Sequence, residues 1–192
     1  MKTTLDKSEC QYWPFYCEEN IWYLCQESAF KNLNKRVVFI SNPDKQCLFL
    51  NQSTGNGGSV LWDYHVLLIT VGFAWDFDTT LPFPCPLSHY LNLTFRETTP
   101  ASLQPFFKII DPDLYLQEFA SDRSHMLDEL GNYIHVIPPW PSVNGDKESN
   151  LHLFTDMKST VFCEDILTLK YMLNWVKTFA NQQKIDKEYA KV

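Results

Sequence analysis

A chain of 192 residues with 45% hydrophobic and 15% aromatic side chains can build one folded domain over 1–192, which excludes a disordered tail. A net charge of −7, without a basic stripe among the aromatics, argues against a nucleic-acid binder and suits a positively charged partner such as a free amino terminus. No apolar run approaches the ~18 residues of a membrane span, so no membrane role is expected.

The opening "MKTTLDKSEC" is polar and lacks the apolar core of a signal peptide, which leads us to expect a cytoplasmic protein, with the nucleus also open to it. Pro14 ends any preceding helix, and residues 17–27 then place Ile21, Leu24 and Cys25 at helical spacing. Glu18 and Glu19 fall in the first turn, where acidic groups complement the helix dipole. "RVVFIS" and "CLFL" read as short buried strands. "NQSTGNGGS" reads as a flexible loop without the G-K-[ST] of a phosphate-binding loop. "VLWDYHVLLIT" and "FAWDFD" read as two strands joined at Val71–Gly72. "LPFPCP" is too proline-rich for a central strand and is expected to be a rigid loop.

"FFKII" follows as a strand, then "DLYLQEFA" as a helix running into "SDRSHM", then an irregular connection over 131–149. "EDILTLKYMLNWVKTF" closes the chain as an amphipathic helix with Ile166, Leu169, Leu173 and Val176 facing the core. Strands in the middle and helices at both ends give an α+β domain, a mainly antiparallel sheet flanked by helices. Without an export signal the six cysteines are expected to be reduced thiols, and, lacking any C-x-x-C pair, not a structural zinc site. Asn51 and Asn92 begin N-x-S/T sequons that read as chance matches.

Chemistry concentrates in three places. Cys17 opens the first helix, where a helix amino terminus can lower a thiol pKa, whereas Cys25 lies on the apolar stripe. His65 interrupts a strand, and alternation would put Leu61, Asp63, His65 and Leu67 on one face. A turn centred on Thr70–Val71 sets Asp76 opposite His65, whereas a turn shifted onto Gly72 sets Asp78 there, and the residues leave these two level. A plain structural reading makes His65 and the aspartate a hairpin pair and Cys17 a helix-end thiol. Against it, a nucleophile, a base and an orienting acid occur in the order Cys, His, Asp, the logic of papain-like and transglutaminase-like enzymes. His125 is the rival base, read as a helix-end polar group.

"YCEENIW", "WDYHVLL", "WDFDTTLPFPC" and "FASDRSHM" together resemble the signature blocks of the protein N-terminal glutamine amidohydrolase family, with a weaker "PPW" region after them. The resemblance implies a papain/transglutaminase-like core with the catalytic cysteine at a helix amino terminus, and a triad of Cys17, His65 and Asp76, so that Asp76 is preferred over Asp78. It implies hydrolysis of the side-chain amide of an amino-terminal glutamine through a thioester, with no metal or organic cofactor. The implied partners are proteins or peptides with a free amino-terminal glutamine, met by a monomer that feeds an N-degron pathway. Glu19 and Asp122 are candidate acceptors for the substrate ammonium. Arg123 reads as holding loop backbone or a carboxylate, and Glu18 as a complement to the helix dipole. The chain departs from the family pattern in a shorter His65–Asp76 connection and a divergent carboxyl-terminal third. A cysteine protease or acyltransferase with the same triad, or an inactive module that captures chain termini, are the competing readings.

Overall fold

The computed structural model describes residues 5–55, 58–70 and 72–189, the closing helix by its backbone alone beyond Phe179. Its centre is a six-stranded antiparallel sheet of β1 (Arg36–Ser41), β4 (Tyr64–Thr70), β5 (Phe73–Trp75), β6 (Cys85–Pro86), β7 (Phe106–Ile110) and β8 (Asp165–Thr168). The strands lie in the order β6-β5-β4-β1-β7-β8, beside a separate hairpin of β2 (Cys47–Leu50) and β3 (Ser59–Trp62). The helices are α1 (Cys17–Gln26), α2 (Leu87–Thr94), α3 (Pro112–Glu118), α4 (Leu151–Thr155) and α5 (Leu169–Tyr189).

Both faces of the sheet are covered, which explains why "VVFI" and "VLLI" are continuously apolar instead of alternating. Val37, Phe39, Val66 and Leu68 point to one side, onto Ile21, Leu24 and Cys25 of α1, Tyr115 of α3 and Phe154 of α4. Val38, Ile40, Leu67 and Ile69 point to the other, onto Leu87 and Leu91 of α2 and onto Leu169, Met172 and Phe179 of α5. The α+β character expected from the sequence is present, with strands over "RVVFIS", "CLFL" and "FFKII" and a helix in "DLYLQEFA". That helix has Pro112 as its first residue, and Asp111 accepts from the Asp113 and Leu114 amides as its cap.

The structure departs from the reading in several elements, among them "FAWDFD", of which only Phe73–Trp75 is strand. "VLWDYHVLLIT" is two strands, because Asp63 breaks the pleat. Ser41 Oγ donates to the Asp63 carbonyl at 2.5 Å, and the Asp63 carboxylate accepts from the Tyr64 amide at 2.9 Å. Leu61 therefore belongs to the small hairpin and is 54% exposed, not in line with His65. The start of the expected terminal helix is β8, because the edge of β7 takes up the backbone from Asp165 to Thr168 before α5 begins at Leu169. Cys85–Pro86, read as loop, is a two-residue edge strand, a position proline tolerates. Helices α2 and α4 had no sequence-based expectation at all.

The hairpin of β4 and β5 pairs Thr70 with Phe73 and Leu68 with Trp75, with Gly72 at φ +78° between them; Val71 lies outside the described residues. This is the Gly72 turn, not the one centred on Thr70–Val71.

Candidate active site

Continued in that register, Asp78 would face His65. Instead β5 stops at Trp75 and the chain from Asp76 to Asp78 leaves the sheet, which carries Asp76 to the imidazole. His65 Nε2 and Asp76 Oδ1 are 2.7 Å apart, and both side chains are buried. Asp76 also accepts from the Asp78 amide at 2.9 Å and from the Tyr90 hydroxyl at 2.8 Å. Burial pushes the Asp76 carboxyl up, but His65 and these donors outweigh it and hold it below its ordinary value. Burial likewise works to lower His65, and Asp76 overcomes it, so the imidazole titrates above its ordinary value. Trp62 stacks on the His65 ring at 5.6 Å between centroids, with Phe49 edge-on at 5.5 Å. Because Nε2 is committed to Asp76, Nδ1 is the nitrogen left to exchange a proton with a reactant.

Cys17 is the first residue of α1, after Tyr16, which supplies no side-chain cap. Among the described residues, the early end of β5 leaves β4 from Tyr64 to Leu67 without a strand partner on that side. Burial pushes the thiol well above its ordinary value, and the Glu18, Asp78 and Asp63 carboxylates add to that, against the Val66 amide. A helix start thus does not by itself make this thiol a thiolate. With the thiol pushed up in this way, a base is needed to take its proton as the sulfur attacks.

Cys17, His65 and Asp78 open on one cavity of about 700 Å³. Its walls come from Phe15, Lys45, the Trp62–His65 bend, the Ser124–Met126 turn, Ile134–His135 and the segment around α4. Asp78 is 3% exposed and accepts from the Tyr12 hydroxyl at 2.9 Å, and burial raises its pKa. The ligand atoms of His65, Asp76 and Asp78 lie within 4.8 Å of one another, a spacing that a metal could use. Hydrogen bonding among the three and to Tyr90 and Tyr12 already accounts for the cluster.

The two residues expected to receive a substrate ammonium lie elsewhere. Glu19 is fully buried and takes a two-point ion pair from Arg123 at 2.7 and 2.8 Å, plus the Trp140 indole N–H at 2.8 Å. Asp122 is exposed and accepts from the Ser124 amide at 2.9 Å. Neither lines the cavity. Arg123 holds both a carboxylate and loop backbone, its two expected roles, through Glu19 and the Trp140 carbonyl. Glu18, expected as a complement to the helix dipole, is completely buried, and His125 lines the cavity instead of merely ending a helix. Acidic residues at a helix start carry no sequence signal for which of them faces inward, so Glu18 could not have been singled out.

A family model described as N-terminal glutamine amidase matches residues 12–189. A protein N-terminal glutamine amidohydrolase of Bos taurus is 39% identical over 170 residues, covering 81% of each chain. The Homo sapiens protein of that name is 38% identical over 178 residues, covering 85% of this chain and 86% of the relative. The Arabidopsis thaliana one is 36% identical over 156 residues, covering 72% of this chain and 71% of the relative.

Proposed function

The chain belongs to the N-terminal glutamine amidase family, and we propose from that premise that it hydrolyses the side-chain amide of an amino-terminal glutamine, using Cys17, His65 and Asp76. The observation that carries the residue assignment is that His65, in a buried 2.7 Å pair with Asp76, opens with Cys17 on one cavity. A helix-start cysteine against the central strand that bears the histidine is the papain/transglutaminase-like arrangement, here within one catalytic domain acting as a monomer.

His65 takes the Cys17 proton as sulfur attacks the glutamine Cδ, and the carbonyl becomes an oxyanion. The Cys17 backbone N–H, at the start of α1, is a donor available to that charge. His65 returns the proton to the amide nitrogen, the C–N bond breaks, and ammonia leaves a thioester on sulfur. Water then adds with His65 taking its proton. The C–S bond breaks and the proton returns to Cys17, leaving glutamate. Asp76 keeps the imidazole in the tautomer with Nε2 protonated and stabilises the imidazolium formed twice in the cycle. Asp63 and Asp78, which line the cavity with Cys17, give it the negative field that an α-ammonium group needs. The product, with a new amino-terminal glutamate, passes to an N-degron pathway.

The test is ammonia release from peptides beginning with glutamine, compared with acetyl-glutamine peptides and internal glutamine, with mass spectrometry for cleavage or crosslinking. Release from the free terminus only, abolished in Cys17→Ala, is expected. Peptide cleavage without ammonia would make this a protease, and an active Cys17→Ala protein would remove the nucleophile assignment.

A further inference from the structure

Beside the sulfur, on the α1 side, lies a second ionisable cluster that the mechanism above does not use. Glu18 is completely buried. Its Oε2 accepts from the Tyr64 hydroxyl at 3.0 Å and lies 3.6 Å from Cys17 Sγ. Its Oε1 lies 3.4 Å from His125 Nε2 and has no hydrogen-bond partner of good geometry. His125 Nε2 is also 3.4 Å from the Tyr64 hydroxyl, and its buried Nδ1 has no partner. A carboxylate taken out of water needs a counter-charge, and two hydroxyl- or thiol-type donors do not supply one. Arg123, the nearby permanent cation, is committed to Glu19. His125 is the group in contact with Glu18 that can carry the charge.

We propose that the Glu18–His125 pair is a charge gate on the nucleophile: protonated His125 cancels the carboxylate that otherwise faces the Cys17 sulfur, and neutral His125 leaves that charge bearing on it. His125 is thus a positioning residue acting through Glu18, not a second base. The groups that set its protonation are Glu18 and Glu19 on α1, Asp63 at the β3–β4 bend, and Asp122 in its own turn. Those facing Cys17 are Glu18, Asp63 and Asp78. Burial lowers His125 and the Glu18 carboxylate more than offsets it, so the imidazolium persists above its ordinary range. This gate rests on the reading of Cys17 as nucleophile.

The experiment follows iodoacetamide alkylation of the Cys17-containing peptide by mass spectrometry against pH, beside ammonia release. A charge at this range moves a pKa by about 1–3 units. Glu18→Gln should move the alkylation midpoint of Cys17 down by about one unit, making the thiol roughly tenfold more reactive at neutral pH. His125→Ala should move it up by a similar amount, and Glu18→Gln/His125→Ala should return it to that of Glu18→Gln alone. A midpoint unmoved by Glu18→Gln, or a double variant that keeps the His125→Ala shift, overturns the gate. If His125→Ala does not fold, His125→Lys, a permanent cation, should instead hold the wild-type midpoint, and an upward shift there also overturns the gate. Expected shifts in a protein that releases no ammonia from glutamine peptides would leave the gate standing and sink the glutamine reading.

Discussion

At the scale of single residues, the choice between Asp76 and Asp78 shows what a sequence can and cannot say. Both lie where a carboxylate could meet His65, and pairing register was the only local guide. The observed register favours Asp78, yet Asp76 makes the contact, because the strand ends one residue before it. Where a strand stops depends on what pairs with its far edge, here the two residues of β6, and that is not written locally. The two aspartates should separate by which kinetic constant they control. Asp76→Asn can present an N–H₂ to the imidazole and favour the wrong tautomer, and the corresponding change in a Ser–His–Asp site costs ~10⁴ in turnover. The same variant removes the largest charge that raises His65, leaving only the weaker pull of Asp78 and Glu18 against burial. Wild-type kcat/KM should rise with pH through the raised His65 pKa, since His65 must be neutral to accept the thiol proton, and the residual activity of Asp76→Asn should rise at lower pH. Asp78→Asn should keep kcat and raise KM for free-terminus peptides by about tenfold, or ~1.4 kcal/mol of binding. Steady-state ammonia release across pH decides this; a larger kcat loss in Asp78→Asn, with folding intact, would reverse the assignment.

At the scale of elements, α1 is held to the segment after α3 by charge as well as by packing. Arg123 stands at φ +64° in a turn and reaches Glu19 with two nitrogens, while its Nη2 also donates to the Trp140 carbonyl at 2.9 Å. The Trp140 indole returns a hydrogen bond to the same carboxylate. Glu19, Arg123 and Trp140 therefore tie the start of α1 to both ends of the 123–140 stretch, which carries His125 and Ile134 into the cavity wall. The sequence could propose a carboxylate for Arg123 but not which one, because the partner lies 104 residues away. It also merged β8 into α5, since four residues of β-forming sequence joined to a helical stripe look continuous until a free strand edge claims them. Arg123→Met should lose about 3–5 kcal/mol, the cost of leaving a buried carboxylate without its partner. Glu19→Gln/Arg123→Met should recover part of that loss, because the stranded charge is gone. Urea denaturation of the three proteins measures both; a double variant no more stable than Arg123→Met would mean that the pair matters through packing alone.

At the scale of the molecule, the order of strands and helices made a helix-flanked sheet legible, whereas the cavity was not, its walls being drawn from stretches as distant as Phe15 and Thr155. The same burial that builds the site gives folding stability a definite pH profile. His65 and His125 both titrate above their ordinary value in the folded chain, so what they contribute is complete below about pH 6.5 and is lost as pH rises through their folded values. Burial pushes the Cys25 and Cys47 thiols up to about 12, and unfolded thiols ionise near ~8.5, so alkaline conditions favour the unfolded chain further from there upward. Asp76 acts in the other direction: depressed when folded, it stabilises above about pH 3.9 and stops doing so as pH falls through its folded value. Asp78, raised by burial, partly offsets that on the acid side. Melting temperature should therefore peak between roughly pH 4 and 6.5, fall in a first step above 6.5 and in a second above about 8.5. In Asp76→Asn the protein should melt lower at pH 6 and lose much of the first step, because His65 no longer gains a counter-ion on folding, while the second step stays. Thermal melts of both proteins from pH 4 to 10 test this. A wild-type melting temperature that is level from pH 6 to 8, or a first step undiminished in Asp76→Asn, would show that the His65–Asp76 pair contributes no net stability.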